Sequence, residues 1–191
     1  MLVYTYIGNS GNVIKWKFCI WSAYNMKSLI KIALFISFCI YLLVLTKLVL
    51  FKYISFNDLS SHFNFKYNDY YWHNHNFIPF KTISYYLFFS NDINFDIRFD
   101  NITGNIIGFT PYGFILPLLS KRFLSIKRII IATFCLSLSY EVFQLMFKFG
   151  SFDIDDLILN TFGGFIGYIP ILMFQLFSNM SKKPISKSAS N

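Results

Sequence analysis

Four long apolar runs constrain this chain more than any other feature. They cover residues 28–51, 102–119, 129–147 and 157–177. About 20 apolar residues in a row are what an α-helix needs to cross the hydrocarbon core of a bilayer. The expected fold class is therefore an all-α membrane protein, a bundle of four transmembrane helices. Composition agrees: 55% of the residues are hydrophobic, with 25 Phe and 13 Tyr, more aromatic and less charged than a soluble domain. One compact bundle accommodates the 28–177 stretch, and no second domain is indicated.

A net charge of +8 raises the question of nucleic acid, but the distribution of the charge points to a membrane. Four spans put both termini on one side. That side holds Lys15, Lys17, Lys27, Lys31, Lys121, Arg122, Lys127, Arg128, Lys182, Lys183 and Lys187, and no acid. Every Asp falls on the other side. Cytoplasmic loops carry the Lys/Arg excess, so both termini are expected in the cytoplasm and no nucleic-acid partner is expected.

Residues 1–27 form a weakly basic cytoplasmic tail. Gly8, Gly11 and several Asn make it a poor helix, and Met26-Lys27-Ser28 reads as a natural start, which would make the tail an upstream extension. Lys47, near the end of the first span, is expected to snorkel to the headgroups. Residues 52–100 form an extracellular loop with His62, His73 and His75. Pro79 suits the first position of a short helix, and the Tyr- and Phe-rich stretch after Lys81 suits the lipid–water boundary, so a short interfacial helix is expected there. Residues 178–191 form a basic cytoplasmic tail. Cys19, Cys39 and Cys135 lie far apart and make no metal spacing.

The spans are not uniformly apolar. Asn101, Gly104, Asn105 and Gly108 share one face of the second, and Gly104 and Gly108 have the spacing that lets helices approach closely. Pro111 and Pro117 should kink its inner half, and its shortness predicts local thinning of the bilayer or little tilt. Ser137, Glu141 and Gln144 make a polar stripe on the third. At about 100° per residue, Asp153, Asp156, Asn160, Gly163, Gly164 and Gly167 lie within one arc of the fourth. Asp155 points the other way, so Asp156→Asn is expected to do far more damage than Asp155→Asn. Asn105, Glu141 and Asn160 all fall within about 10 Å of the outer boundary, at 1.5 Å per residue. An ionisable residue within a span is a functional hypothesis by default. The candidate pocket is thus Asn105, Ser137, Glu141, Gln144, Asp153, Asp156 and Asn160, with Gly104, Gly108, Gly163, Gly164 and Gly167 for packing. Glu141, Asp153 and Asp156 are candidate ligands for a divalent cation. An ammonium or sugar headgroup is an alternative occupant, and helix capping is the plainer role of the Asp pair.

Four ordered pieces carry a resemblance. They are Asn76-Phe77-Ile78-Pro79-Phe80-Lys81-Thr82-Ile83; Asn101-x-x-Gly104-Asn105-x-x-x-Phe109-x-Pro111-x-Gly113-x-x-Leu116-Pro117; Ser137-x-x-x-Glu141-x-x-Gln144; and Asp153-x-x-Asp156-x-x-x-Asn160-x-x-Gly163. In order and spacing they resemble the VanZ-like family over roughly residues 30–177. The resemblance implies a small protein of the bacterial cell membrane and a role linked to teicoplanin, a glycopeptide acting on cell-wall precursors. An Arg found in many members shortly before the Asp-x-x-Asp piece is absent; Gly150-Ser151 stands near that place. Four functions stay open. The first is an outer-leaflet pocket that binds membrane lipid, a lipid-linked cell-wall precursor or the glycopeptide. The second is an intramembrane enzyme with Glu141 as acid or base and Asp153 and Asp156 holding a metal. The third is a proton-coupled exporter with Glu141 as carrier. The fourth is a structural subunit.

Overall fold

The computed structural model describes residues 10–51, 75–89 and 95–181, with side chains from residue 28 onward except at 89, 97, 180 and 181. Most of the long loop, with His62 and His73, and the tail beyond residue 181 lie outside the described residues. Among the described residues the architecture is all-α: α1 (Ser10–Leu50), α2 (Lys81–Ser84) continued by a π-helical turn (Tyr85–Phe89), α3 (Phe95–Leu119), a 3-10 turn (Lys121–Phe123), α4 (Ile126–Phe147) and α5 (Ile154–Ser181). Four stretches are long and apolar enough to cross a membrane: Ser28–Leu50, Arg98–Leu119, Ile126–Phe147 and Ile154–Asn179.

Three expectations need correction. The first concerns the tail. α1 starts at Ser10, so the stretch read as a poor helix is helical. Gly11 and Asn12 fall in the opening turn, where helix breakers do least harm, and the apolar run propagates the helix back to them. The second concerns α3. It begins at Phe95, where Asp96 in the first turn favours the helix dipole. The span Arg98–Leu119 has 22 residues and needs no thinned bilayer. Pro111 and Pro117 both lie inside it. The third concerns Pro79, which lies in a turn rather than at the first helical position. Phe80, with φ of 64°, separates it from α2.

Contacts divide the chain into two units, 1–40 and 41–191. In the first, Leu29, Ile30, Ile32, Phe35 and Ile36 are exposed, as lipid-facing side chains would be. In the second, α3 and α5 form the most extensive helix pair, and glycines let them touch. A Cβ on Gly163 would lie 2.2 Å from the Ile106 carbonyl oxygen, and one on Gly167 1.9 Å from that of Thr110. Gly113 on α3 faces Gly164, where a Cβ would lie 1.8 Å from the carbonyl oxygen. Gly164 in turn lies under Thr133 of α4, whose Oγ1 would be 2.3 Å from an added Cβ. Gly104 and Gly108 do not do this: a Cβ at Gly104 would meet nothing within 4 Å, and at Gly108 only an ordinary contact with Leu45. The last turns of α1 join the unit through a core of Leu45, Leu50, Phe109 and Tyr140. Two hydrogen bonds secure it: Tyr41 Oη donates to the Gly108 carbonyl (2.7 Å), and Thr46 Oγ1 pairs with Tyr140 Oη (2.9 Å).

Candidate functional site

The site grows from the first residues of α5. The fourth helix starts at Ile154 rather than near Leu157, because Asp153 caps it: its Oδ1 accepts from the Asp155 backbone N–H at 2.8 Å. Acids in this first turn also suit the dipole. The cap is tied to α4, since the Asp153 backbone N–H donates to Glu141 Oε2 at 2.9 Å. α4 reaches that position by ending at Lys148, which takes the left-handed conformation (φ 55°) and donates its N–H back to the Gln144 carbonyl.

The same turn of α5 holds the segment before α2. Asn76 and Asp153 form an isolated parallel bridge, in which Asn76 N–H donates to the Phe152 carbonyl (2.8 Å) and Ile154 N–H to the Asn76 carbonyl (3.0 Å). The Asp153 carboxylate accepts from Asn76 Nδ2 (2.8 Å) and Thr82 Oγ1 (2.6 Å). His75 Nδ1 accepts from the Phe152 N–H at 2.8 Å, so this nitrogen carries no proton. Burial pushes the His75 imidazole below its ordinary pKa.

Asp155 corrects the sequence reading most sharply. It does point away from the glycine track, but into the protein, and it is 0% exposed. Its carboxylate accepts three backbone N–H groups, from Phe80 (2.5 Å), Thr82 (2.7 Å) and Ile83 (3.0 Å). These are orphan donors at the start of α2, which has no side-chain cap of its own. Asp155 supplies that cap from another helix.

The expected pocket residues separate into two layers. Asn105, Gln144, Asp153 and Asp156 line a cavity of about 560 Å³. Asn105 Nδ2 donates to Asp156 Oδ1 (2.6 Å), and Gln144 Nε2 to the Val49 carbonyl (3.0 Å). Ser137, Glu141 and Asn160 do not line it. They form a buried layer, 0%, 1% and 2% exposed, in which Asn160 Nδ2 donates to Ser137 Oγ at 2.8 Å. Sequence reasoning misses Thr82, Tyr86, Asp100 and Ser151, which also line the cavity, and puts Asn101 on the right face of α3 without assigning it to the pocket. Helix arithmetic along α3 places Asn101 one turn from Asn105. Thr82 and Tyr86 come from a distant segment whose docking no periodicity reveals.

A metal cage of Glu141, Asp153 and Asp156 does not match this geometry. Both Asp153 oxygens accept hydrogen bonds from the protein. Glu141 accepts from the Asp153 backbone rather than facing the cavity. Among the described residues no group of three or more His, Cys, Asp or Glu is arranged to hold an ion.

Residues 38–177 match the family model described as VanZ/LLP1. The chain is 33% identical over 128 residues to Protein VanZ of Enterococcus faecium, in an alignment covering 67% of this chain and 66% of that protein. It thus spans just under two thirds of that relative's length. No solved structure matches.

Proposed function

Since the chain belongs to the VanZ/LLP1 family, we propose that it is a cell-envelope protein that contributes to glycopeptide resistance of the teicoplanin type by binding rather than by catalysis. The observation that carries this reading is the cavity, where Asn105, Gln144, Asp153 and Asp156 converge beside apolar residues of α1. Clefts of this size with a few convergent polar groups are the usual form of small-ligand sites. The Lys/Arg bias favours both termini in the cytoplasm, and in that orientation the cavity lies at the level of the outer leaflet. There it could hold a membrane lipid, a lipid-linked cell-wall precursor or the glycopeptide.

The test is teicoplanin susceptibility of cells expressing the protein, normalised to its abundance in the membrane. Wild type should lower susceptibility. Gly104→Leu should abolish the effect at equal abundance, because the added side chain enters the cavity without striking the backbone. An active Gly104→Leu variant would detach function from the cavity. A wild type without effect would remove the resistance role.

A further inference from the structure

We infer that the cavity takes an ammonium group carried on a hydrocarbon chain. The inference rests on the cavity's being a binding site and adds the chemistry of its occupant. Its walls divide by element. The end of α1 supplies only Leu45, Leu48 and Val49. α3 and the turn into α5 supply Asp100, Asn101, Asn105, Asp153 and Asp156. Among the described residues three carboxylates line the space and no Lys or Arg does, so an anionic group would meet like charge from these walls. Tyr86, Phe109 and Phe149 complete the lining, and aromatic rings beside carboxylates are the usual surroundings of a bound ammonium.

The arrangement distinguishes an organic cation from a compact metal ion. A hard divalent ion needs several oxygens converging on one point at about 2.0–2.6 Å, and among the described residues no three or more His, Cys, Asp or Glu are so arranged. An ammonium makes longer contacts and has several N–H donors to distribute. The carbonyl oxygens of Asn101 and Asn105 and the exposed Asp100 carboxylate can accept them. The chain then lies along the α1 wall, where Leu48 is exposed. Gly104 leaves the room: a Cβ there meets nothing within 4 Å.

The experiment is equilibrium binding of isotope-labelled hexylammonium, hexanol and hexanoate to the full chain in maltoside micelles, with protein-free micelles as blank. Hexylammonium should bind at least tenfold more tightly than the other two. Gly104→Leu should weaken it at least tenfold, and the exposed Asp100→Asn measurably, both with unchanged helicity and elution. Competition then identifies the source. Displacement by phosphatidylethanolamine but not ethanolamine indicates a lipid headgroup; displacement by both indicates a soluble amine. Equal binding of hexanol or hexanoate would overturn the ammonium assignment while leaving the cavity a binding site. Absent hexylammonium binding, or binding untouched in both folded variants, would overturn the inference outright. Neither result depends on teicoplanin susceptibility, so the resistance role stands or falls separately.

Discussion

Replacing Asp155 should release the start of α2 from α5. Its carboxylate is 0% exposed and accepts the N–H groups of Phe80, Thr82 and Ile83. Hydrogen bonds to a charged group contribute about 1.5–3 kcal/mol each, and an orphaned buried donor costs about 1–3 kcal/mol. Three such bonds sharing one acceptor are not additive, so a loss of about 3–5 kcal/mol is expected for Asp155→Ala. Asp155→Asn is expected to lose about 2–3 kcal/mol, since its amide NH₂ must face at least one backbone N–H. At about 1.4 kcal/mol per factor of ten, 3 kcal/mol is more than a hundredfold in local opening. Hydrogen exchange of peptides covering 76–84 reads this directly, with Asp96→Asn on the exposed first turn of α3 as control. Wild-type protection in Asp155→Asn would refute the account, and a larger loss in Asp156→Asn would restore the ranking that helix periodicity predicts.

Gly167→Ala and Gly164→Ala should lower the yield of folded protein, because their Cβ atoms would come within 1.9 Å of the Thr110 oxygen and 2.3 Å of Thr133 Oγ1. Gly104→Ala should not, and size-exclusion yield compares the three. The His75 contact should weaken with acid. Its folded pKa is lowered, so its contribution is complete above the free imidazole value of about 6.5 and declines as pH falls through that value, where the open state takes up the proton first. Exchange of the Phe152 amide at pH 7.5 and 5.5, corrected for intrinsic rates, should show the loss in wild type and none in His75→Phe. In a cysteine-free background, Ser151→Cys should react with an impermeant thiol reagent in intact cells and Ser125→Cys should not; the reverse pattern would invert the proposed orientation.

The spans are legible in sequence because a helix crossing lipid needs about 20 predominantly apolar residues, and α3, α4 and α5 each show such a run. Their starts are less legible. Polar residues such as Arg98 and Asp153 look like loop, yet Asp153 begins α5 by capping it. The glycines of α5 mark a close approach in any reading, but which helix they meet depends on tertiary docking. Gly104 and Gly108 carry the same spacing and border open space instead. Asp155 shows the deeper limit. Periodicity tells which way a side chain turns, but not whether solvent or another segment waits there. Its partners are backbone N–H groups, which leave no trace in residue identity beyond the Asn76–Ile83 piece itself.

The bridge between Asn76 and Asp153 has a temporal consequence. Its partners are 77 residues apart, and α3 and α4 lie between them. During synthesis Asn76, Thr82 and the start of α2 emerge long before the carboxylates that hold them. The local bonds of Asn76 to Thr82 and Ile78 do not cap α2, a single turn without a side-chain cap of its own. The segment therefore gains its Asp155 cap only after α5 has been made. A chain interrupted before that helix would already present three apolar spans to the membrane and still lack the Asp153 and Asp156 wall of the cavity.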